Sequence, residues 1–336
     1  MKRMLLNLCR NFTPLLAIAF LAVCTAQPAI GQSLFPDAED DFLTLDGRNK
    51  IKPSTFQFLK VSTNARVSGM GDAFTAVADG MDGIVWNPAG TTKIKKFGYA
   101  FGYAKWLVES AFYSGAVVYN TGRWGVVGVS LVNFQPPTFM ETTTLQPDGT
   151  GRNVTVGDMA LGATYAYQLT DKLSAGGTIR YIQSKLADVT LKAVSINVNS
   201  LMYTGFRSLR LGMNLKNLGG EQEIVSEKSE MPLTFHLGVA MELYGNLGDP
   251  SSLTVAFEGA YFTDRLQRWN LGGEFWLANI VALRAGYKFK YDNESWSVGA
   301  GLKGNFSGRN IGLDISYSDF GDLFDPPLRI SLSGSF

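Results

Sequence analysis

From Lys96 to Phe336 the sequence alternates, residue by residue, between large apolar side chains and small or charged ones. In residues 281–289, for example, the face that carries Leu283 and Tyr287 alternates with a face of alanine, arginine, glycine and lysine. A period of two is the spacing of a β-strand, whose successive side chains point to opposite sides of the sheet. Beyond residue 31 no apolar run reaches the roughly 18 residues that a spanning helix needs. The pattern therefore predicts an all-β fold.

Alternation of this kind occurs both in soluble sandwiches, which bury the apolar face, and in membrane barrels, which turn it to lipid. The segments run for about ten residues, as tilted membrane strands do, whereas globular strands have about five or six. Residues 328–336 form an alternating strand that ends on an aromatic residue, as in bacterial outer-membrane barrels. Only 18% of the residues are charged, against about 25% in average soluble proteins. Aromatic residues also collect near the strand ends, as interfacial girdles require: Trp106, Trp124, Tyr165, Tyr167, Tyr244, Tyr261, Trp269, Trp296 and Tyr317. We therefore predict a transmembrane antiparallel β-barrel over residues 96–336.

The barrel is expected to have about fourteen strands, an even number as in bacterial barrels. Tight connections follow the even-numbered strands, and the long ones, 135–153, 219–231 and 319–327, follow odd-numbered strands. This parity places both termini in the periplasm and the long loops outside. The second, third and sixth strands alternate least regularly. The predicted strands begin near residues 96, 110, 123, 154, 173, 193, 208, 232, 251, 267, 280, 294, 309 and 328.

Five basic residues test the assigned facing of the strands. A Lys or Arg at the bilayer midplane costs about 2–4 kcal/mol, so a basic residue in a spanning strand has to point to the lumen. Each of the five lies on the small, polar side of its strand: Arg180, Arg210, Arg284, Lys288 and Lys303.

Residues 1–31 have the features of a secretory signal peptide, with a basic start followed by an apolar core at 15–23. A lipoprotein signal at Cys24 is the alternative, although Val23 fits it poorly. Cys9 and Cys24, the two cysteines of the chain, both lie in this segment. The mature chain should therefore contain no disulfide, no thiolate metal site and no cysteine nucleophile.

Residues 32–54 are irregular and acidic, and we interpret them as a periplasmic linker. Removal of residues 1–31 takes away three of the 30 basic residues and none of the 29 acidic ones, which leaves a net charge of −2. Such a balance gives no electrostatic reason to expect nucleic-acid binding.

Residues 65–79 are the one long segment after the N-terminus with a helical spacing of apolar residues. Gly80 is a natural end for such a helix, and a turn follows at residues 86–90, where Pro88 fixes φ and Gly90 is free to take positive φ. We predict that residues 55–92 form a hatch inside the barrel, and we name them the hatch segment.

The same segment carries an ordered motif: Ala65-Arg66, Gly69-Met70-Gly71, Ala73-Phe74, Ala76-Val77-Ala78-Asp79 and Trp86-Asn87-Pro88-Ala89-Gly90. Over residues 58–90 this order resembles the PorV/PorQ family of outer-membrane proteins, distant relatives of the FadL long-chain fatty-acid transporters. The resemblance implies a fourteen-stranded barrel with an N-terminal hatch in its lumen. The candidate functional residues are those of the motif: Arg66, Gly69, Gly71, Asp72, Phe74, Asp79, Trp86, Asn87, Pro88 and Gly90.

Two functions follow from the resemblance, both in the outer membrane and neither enzymatic. In the first, the chain acts like PorV in type IX secretion, and its extracellular loops and barrel rim bind or shuttle secreted proteins or bind subunits of the secretion machinery. In the second, the chain is a FadL-like passive transporter of hydrophobic compounds, with a pocket at Met70, Phe74 and Trp86 and a lateral exit at a break in one strand. A purely structural barrel is the third alternative.

Enzymatic chemistry has little support in the sequence. Gly69-Met70-Gly71 lacks the Gly-Lys-Ser/Thr of a phosphate loop. His236 is the single histidine, which is too few for a His-based metal cage, and no Gly-x-Ser-x-Gly elbow accompanies it. We therefore expect no catalytic residue, no metal and no cofactor. The charged residues of the lumen are interpreted as a salt-bridge network around the hatch segment.

Overall fold

The computed structural model describes residues 54–224, 227–306, 308–321 and 324–336. Within these residues, fourteen antiparallel strands close into one barrel in which the last strand pairs with the first. The barrel strands are β1 (Phe97–Lys105), β2 (Ala111–Asn120), β3 (Val126–Gln135), β6 (Val156–Gln168), β7 (Leu173–Leu186), β8 (Val189–Tyr203), β9 (Arg210–Leu218), β12 (Thr234–Tyr244), β13 (Ser252–Phe262), β14 (Arg268–Leu277), β15 (Val281–Phe289), β16 (Trp296–Phe306), β17 (Arg309–Ser318) and β18 (Leu328–Ser335). Two hairpins lie outside the barrel: β4 (Phe139–Met140) with β5 (Asn153–Val154), and β10 (Gln222–Ile224) with β11 (Glu227–Ser229). The predicted all-β barrel of fourteen strands is confirmed.

The strands that alternate least regularly, β2, β3 and β8, are all part of the barrel. The largest error in a predicted strand start is at β8, which begins at Val189 rather than near residue 193. The reason is a two-residue connection after Leu186, in which Ala187 has a φ of 56°. The hairpin of β7 and β8 therefore continues to its tip, where the sequence indicated a longer loop.

The two ends of the barrel differ in their connections. One end, which we call the turn end, carries the short connections and Phe336, whose backbone bonds to Phe97 beside the first strand. The other end, the loop end, carries the connections at 136–155, 219–233 and 319–327. Ser54, the first described residue, lies at the loop end, where it bridges Glu230. The predicted signal peptide and residues 32–53 of the predicted linker lie outside the described residues.

The outer surface of the barrel is apolar. Ile179, Leu237 and Leu283 are 58%, 53% and 58% exposed, whereas Arg180 and Arg284, which follow Ile179 and Leu283 in their strands, point inward and are buried. Because every backbone group of a closed barrel is paired within the wall, such a surface suits lipid. None of the described helices is long and apolar enough to cross a membrane.

The depth of a residue in the apolar belt predicts the effect of a charge placed there. Leu313 lies in the middle of β17 and is 49% exposed, and Leu277 ends β14 beside a turn and is 53% exposed. We expect Leu313→Arg to lower the free energy of unfolding in lipid by about 2–4 kcal/mol, and Leu277→Arg by at most about 1 kcal/mol. Urea unfolding of the protein in phospholipid vesicles measures both. Equal effects of the two substitutions would contradict the assigned depths of Leu313 and Leu277 in the apolar belt.

The hatch segment lies inside the barrel and is mostly irregular. Its elements are a 3₁₀-helix at Gln57–Lys60, helix α1 (Ala65–Gly69), and 3₁₀-helices at Gly80–Gly83 and Pro88–Lys93. The helical spacing over residues 65–79 is thus realised only in α1, and the longer helix that it indicated is wrong. The reason is local: Gly71 and Asp72 both have a φ of 62°, a left-handed conformation in which a right-handed helix cannot continue.

Candidate functional site

Glycines of the wall let the backbone of the hatch segment lie directly against the barrel. A Cβ on Gly286 would stand 2.1 Å from the amide nitrogen of Gly71, and a Cβ on Gly212 would stand 2.3 Å from the carbonyl oxygen of Thr75. No side chain fits at either position without displacement of the backbone opposite. The small residues of the lumen face therefore position the hatch segment.

A chain of buried ion pairs, which we call the Arg66 network, fastens α1 to the wall. Arg66 donates from Nε and Nη2 to the two carboxylate oxygens of Glu274 on β14, at 2.8 and 2.7 Å. Its Nη1 donates to Asp79 at 2.7 Å and to Asp82 at 3.3 Å, both in the hatch segment. Arg284 on β15 donates to the same Glu274 at 2.6 Å. A two-pronged charge-assisted bond of this kind fixes orientation as well as position.

Burial alone would lower the pKa of Arg66, but the carboxylates of Asp79 and Glu274 outweigh this effect and raise its pKa further above the ordinary arginine value. Arg66 therefore stays charged at any pH at which the barrel is folded. Arg284 continues the network to Asp314 on β17, with a distance of 2.7 Å between its Nη1 and the nearer carboxylate oxygen.

Glu258 on β13 holds the middle of the hatch segment. Its Oε2 accepts hydrogen bonds from the backbone amides of Phe74 and Thr75, at 3.0 and 2.8 Å. Its Oε1 lies 2.8 Å from Nδ1 of His236, which is buried and packs edge-on against Trp86. His236 thus orients Glu258, whose carboxylate accepts hydrogen bonds from the backbone of the hatch segment.

The turn after Trp86 is anchored by amide side chains. Asn87 caps the 3₁₀-helix at Pro88–Lys93 through Ala89, and its Nδ2 donates to the carbonyl oxygens of Thr75 and Ser200, at 2.7 and 3.1 Å. The sequence motif Trp-Asn-Pro therefore makes a cap and two cross-links.

The remaining motif residues have packing or pairing roles. A Cβ on Gly90 would stand 2.3 Å from the carbonyl oxygen of Ala78, and one on Gly69 would stand 3.2 Å from Cα of Gly299 on β16. Asp72 pairs with Lys288 on β15 at 2.6 Å.

At the loop end, Lys60 forms an ion pair with Asp264. The side chain of Gln57 also donates a hydrogen bond to Asp264, at 2.9 Å. Burial lowers the pKa of Lys60 to about 8, despite the opposing effect of its bond to Asp264. The ammonium therefore loses its proton when the pH rises through about 8. This contact closes the first turn of the hatch segment onto the connection between β13 and β14.

The residues predicted to form an apolar ligand pocket are brought together, but as packed core. Met70 and Phe74 are fully buried and share one cluster with Trp86, Val67 and Val77. Of the three predicted pocket residues, only Trp86 borders either of the two cavities described next. A ligand role for Met70 and Phe74 stays a prediction.

Two cavities flank the hatch segment. The turn-side cavity has a volume of about 200 Å³ and is bordered by the Arg66 network. The loop-side cavity has a volume of about 220 Å³ and lies between residues 57–62, the inner wall and the loops after β13 and β15. The two sets of bordering residues do not overlap. The hatch segment thus separates two spaces inside the barrel.

The sequence reasoning missed three polar residues of the loop-side cavity, Lys216 on β9, Asn270 on β14 and Arg329 on β18. Each was visible only as a polar position on the inner face of its strand. Lys216 lies at a register shift between β8 and β9, next to Asn217, whose φ is 61°. Among the described residues, no three His, Cys, Asp or Glu side chains meet in a way that could hold a metal ion.

Comparison with known proteins places this architecture in a sequence family. Residues 46–246 match the uncharacterised protein family UPF0164, which is more than half of the chain. The chain belongs to this family. A search of curated proteins gives no match.

Solved structures show the same fold at low sequence identity. The CymD monoaromatic hydrocarbon channel matches with a TM-score of 0.56 and 14% identity, over 82% of this chain and 98% of CymD. The Pseudomonas putida toluene transporter TodX matches with a TM-score of 0.56 and 15% identity, over 81% of this chain and 96% of TodX. The UPF0164 chain is therefore similar in fold to channels rather than to enzymes.

Proposed function

We propose that this UPF0164 protein is a non-enzymatic channel of the bacterial outer membrane through which hydrophobic compounds diffuse passively, in the manner of FadL-type transporters. The observation that carries the proposal is the filled lumen: a closed, outwardly apolar barrel whose interior is divided by its own N-terminal segment into a loop-side and a turn-side cavity. The fold similarity to CymD and TodX supports it.

A filled lumen constrains how a solute could pass. The wall contacts the hatch backbone so closely at Gly212 and Gly286 that no solute fits between the wall and the hatch segment at these positions. A hydrophobic solute would enter at the loop end and leave either past a displaced hatch segment or sideways through the wall. The register shift between β8 and β9 beside Lys216 is the place we propose for a lateral exit, because paired hydrogen bonds are fewest where a strand carries an extra residue.

The alternative from the sequence, a PorV-like role in type IX secretion, has no comparable support. It rests on the motif of the hatch segment together with the long loops, and in the structure the motif anchors the segment to the wall rather than forming an exposed surface. Neither of the two solved structures reported above is a secretion component. We therefore take hydrophobic-solute passage as the function.

Uptake in a bacterium that lacks its own channels of this type tests the proposal. Whole cells are needed because a hydrophobic solute crosses a plain phospholipid bilayer unaided, whereas lipopolysaccharide resists it. We expect cells that make the protein to accumulate radiolabelled toluene faster than cells that carry an empty vector, with no change in uptake of a hydrophilic sugar. Equal toluene uptake in both strains, at a verified amount of protein in the outer membrane, would overturn the proposal.

A further inference from the structure

The loop-side cavity is rich in cations, and most of them have a carboxylate partner. Lys288 pairs with Asp72 at 2.6 Å, Arg268 pairs with Asp292 at 3.0 Å, and Lys60 pairs with Asp264. These pairs account for the charge at the rim and on one side of the cavity.

Two further cations, Lys216 and Arg329, border the same cavity and differ from the others. They are 6% and 2% exposed, and neither forms an ion pair with any carboxylate in the described part of the chain. Arg329 donates only to neutral oxygens, the carbonyl of Ser62 at 2.9 Å and the hydroxyl of Ser318 at 3.0 Å. A buried charge is usually paired, because removal from water is costly for an isolated ion.

Each of these two cations lies over an indole ring. Nζ of Lys216 is 3.4 Å from the ring centroid of Trp86, and the guanidinium of Arg329 is 5.1 Å from that of Trp106. A cation–π contact offsets only part of the desolvation of a buried charge. The two carboxylates that border the cavity, Asp72 and Glu294, both pair with Lys288 rather than with these two cations.

An unpartnered amide lies in the same cavity. Asn270 is 1% exposed, and neither its Nδ2 nor its Oδ1 has a hydrogen-bond partner. Buried polar groups in folded proteins nearly always have partners, so an orphaned amide that borders a cavity indicates a ligand or an ordered water there. A carboxylate in this cavity could accept from Nδ2 of Asn270 and from Lys216. Arg329 would act on it only through its charge, because β18 lies seven strands from β9 in the ring of fourteen.

The apolar part of the lining suits a flat, compact body. Trp86, Trp106, Phe262 and Tyr291 border a cavity of about 220 Å³, which is below the range of about 300–1,000 Å³ that is usual for drug-sized ligands. We propose that the loop-side cavity binds a compact aromatic carboxylate, which is held by Lys216 and Asn270, lies within the field of Arg329 and packs among these rings. That this anion is a solute in transit depends on the proposed function. Its binding in the cavity does not.

Calorimetric titration of the purified mature protein in detergent tests the binding with four probes. Benzoate has the proposed chemistry, benzamide is its uncharged analogue, hexanoate is a flexible carboxylate and sulfate is a bare anion. We expect a saturable isotherm for benzoate and affinities lower by about tenfold or more for the other three, since each lacks one of the recognised features. Benzamide or sulfate binding as tightly as benzoate would overturn the proposal, and so would tighter binding of hexanoate.

Matched substitutions locate the site. Lys303 also lies over an indole, that of Trp276, but it borders the turn-side cavity. Lys216→Met should weaken benzoate binding by about tenfold, whereas Lys303→Met should leave it within about twofold. Asn270→Ala gives a second variant that is safe for folding, because its amide makes no hydrogen bond that the substitution would remove. It should weaken benzoate binding by at least about threefold.

The outcomes separate this site from the proposed function. A benzoate isotherm that is lost in Lys216→Met and kept in Lys303→Met supports the site even if cells take up no toluene. Toluene uptake without any benzoate isotherm overturns the site and leaves the proposed function intact. Equal loss in both lysine variants would show a general effect of lumen charge and would also overturn the site.

Discussion

Replacement of Arg66 with methionine is expected to release the hatch segment and turn a closed barrel into an ion-conducting one. Arg66 joins the hatch segment to Glu274 by two hydrogen bonds of 2.8 and 2.7 Å, at a site where Glu274 is 2% exposed. Removal of one partner from a buried ion pair costs about 3–5 kcal/mol, because the other charge is left without full compensation. That amount is lost from the anchoring of α1, a helix of five residues. Single-channel recording in planar bilayers should show larger and more frequent conductance than for the wild type.

Two further arginine variants show whether the effect is specific. Arg66→Lys keeps the charge but loses the two-pronged geometry, so its conductance should lie between those of the wild type and Arg66→Met. Arg152 also contacts two carboxylates, Glu141 and Asp188, but it is exposed in the loops. Exposed pairs contribute about 0–1 kcal/mol, so Arg152→Ala should conduct like the wild type. If Arg66→Met stays as closed as Arg152→Ala, the Arg66 network does not hold the hatch segment.

The barrel could be predicted because the sequence signal for a strand is local and is repeated in every strand. Each strand carries its own two-residue period over about ten residues, and an error in one strand leaves the others intact. Which side of each strand faces the lipid could be predicted for the same reason. A basic residue such as Arg284 or Lys288 is too costly in lipid, so its side of the strand has to face the lumen.

The position of the hatch segment could be predicted from the sequence, but its secondary structure could not. Its apolar spacing indicated one helix over residues 65–79, and the helix ends at Gly69. The competing signal was present in Gly69 and Gly71, but the left-handed Asp72 is also held by the wall, through its ion pair with Lys288 and the close approach of Gly71 to β15. Tertiary contacts therefore decided the backbone, and single-sequence periodicity contains none of them.

The contacts that fasten and line the lumen are the least predictable part. Arg66 and Glu274 are 208 positions apart in the chain, and nothing local selects Glu274 over the other inward carboxylates. Likewise Lys216, Asn270 and Arg329 come from three strands that closure of the barrel brings around one cavity. A sequence can show that each side chain points inward, whereas which of them meet depends on strand order, register and tilt together.

The loop-side position of Ser54 bears on how the hatch segment could move. Ser54 and Lys60 are held at the loop end through Asp264, and Pro88–Lys93 is held near the turn end through Ser174. The segment is thus fixed at both ends, and α1 between them is fixed by the Arg66 network. A movement that opens a path need not expel the segment, because displacement of α1 from β16 and β17 would suffice.

Covalent attachment of α1 to the wall is therefore expected to abolish uptake by the first of the two proposed routes, in which solutes pass a displaced hatch segment. The hydroxyl oxygens of Ser68 on α1 and Ser318 on β17 are 2.9 Å apart in the buried lumen, which is compatible with a disulfide after replacement of both residues by cysteine. We expect no other cysteine in the mature protein, because the two natural cysteines lie in the predicted signal peptide. A disulfide contributes about 2–4 kcal/mol, and each 1.4 kcal/mol is tenfold in an equilibrium. The population with a displaced α1 should fall by at least about tenfold, and toluene uptake with it.

A second disulfide, which joins two strands of the wall and leaves the hatch segment free, is the matched control. The hydroxyl oxygens of Thr164 on β6 and Thr178 on β7 are also 2.9 Å apart and buried. Cells with oxidised Thr164→Cys/Thr178→Cys should take up toluene at the wild-type rate, and cells with oxidised Ser68→Cys/Ser318→Cys should not until a reductant is added. Mass spectrometry establishes that each bond has formed. Undiminished uptake with a complete Ser68–Ser318 bond would mean that solutes pass without movement of α1. The lateral route beside β9 would then be the exit.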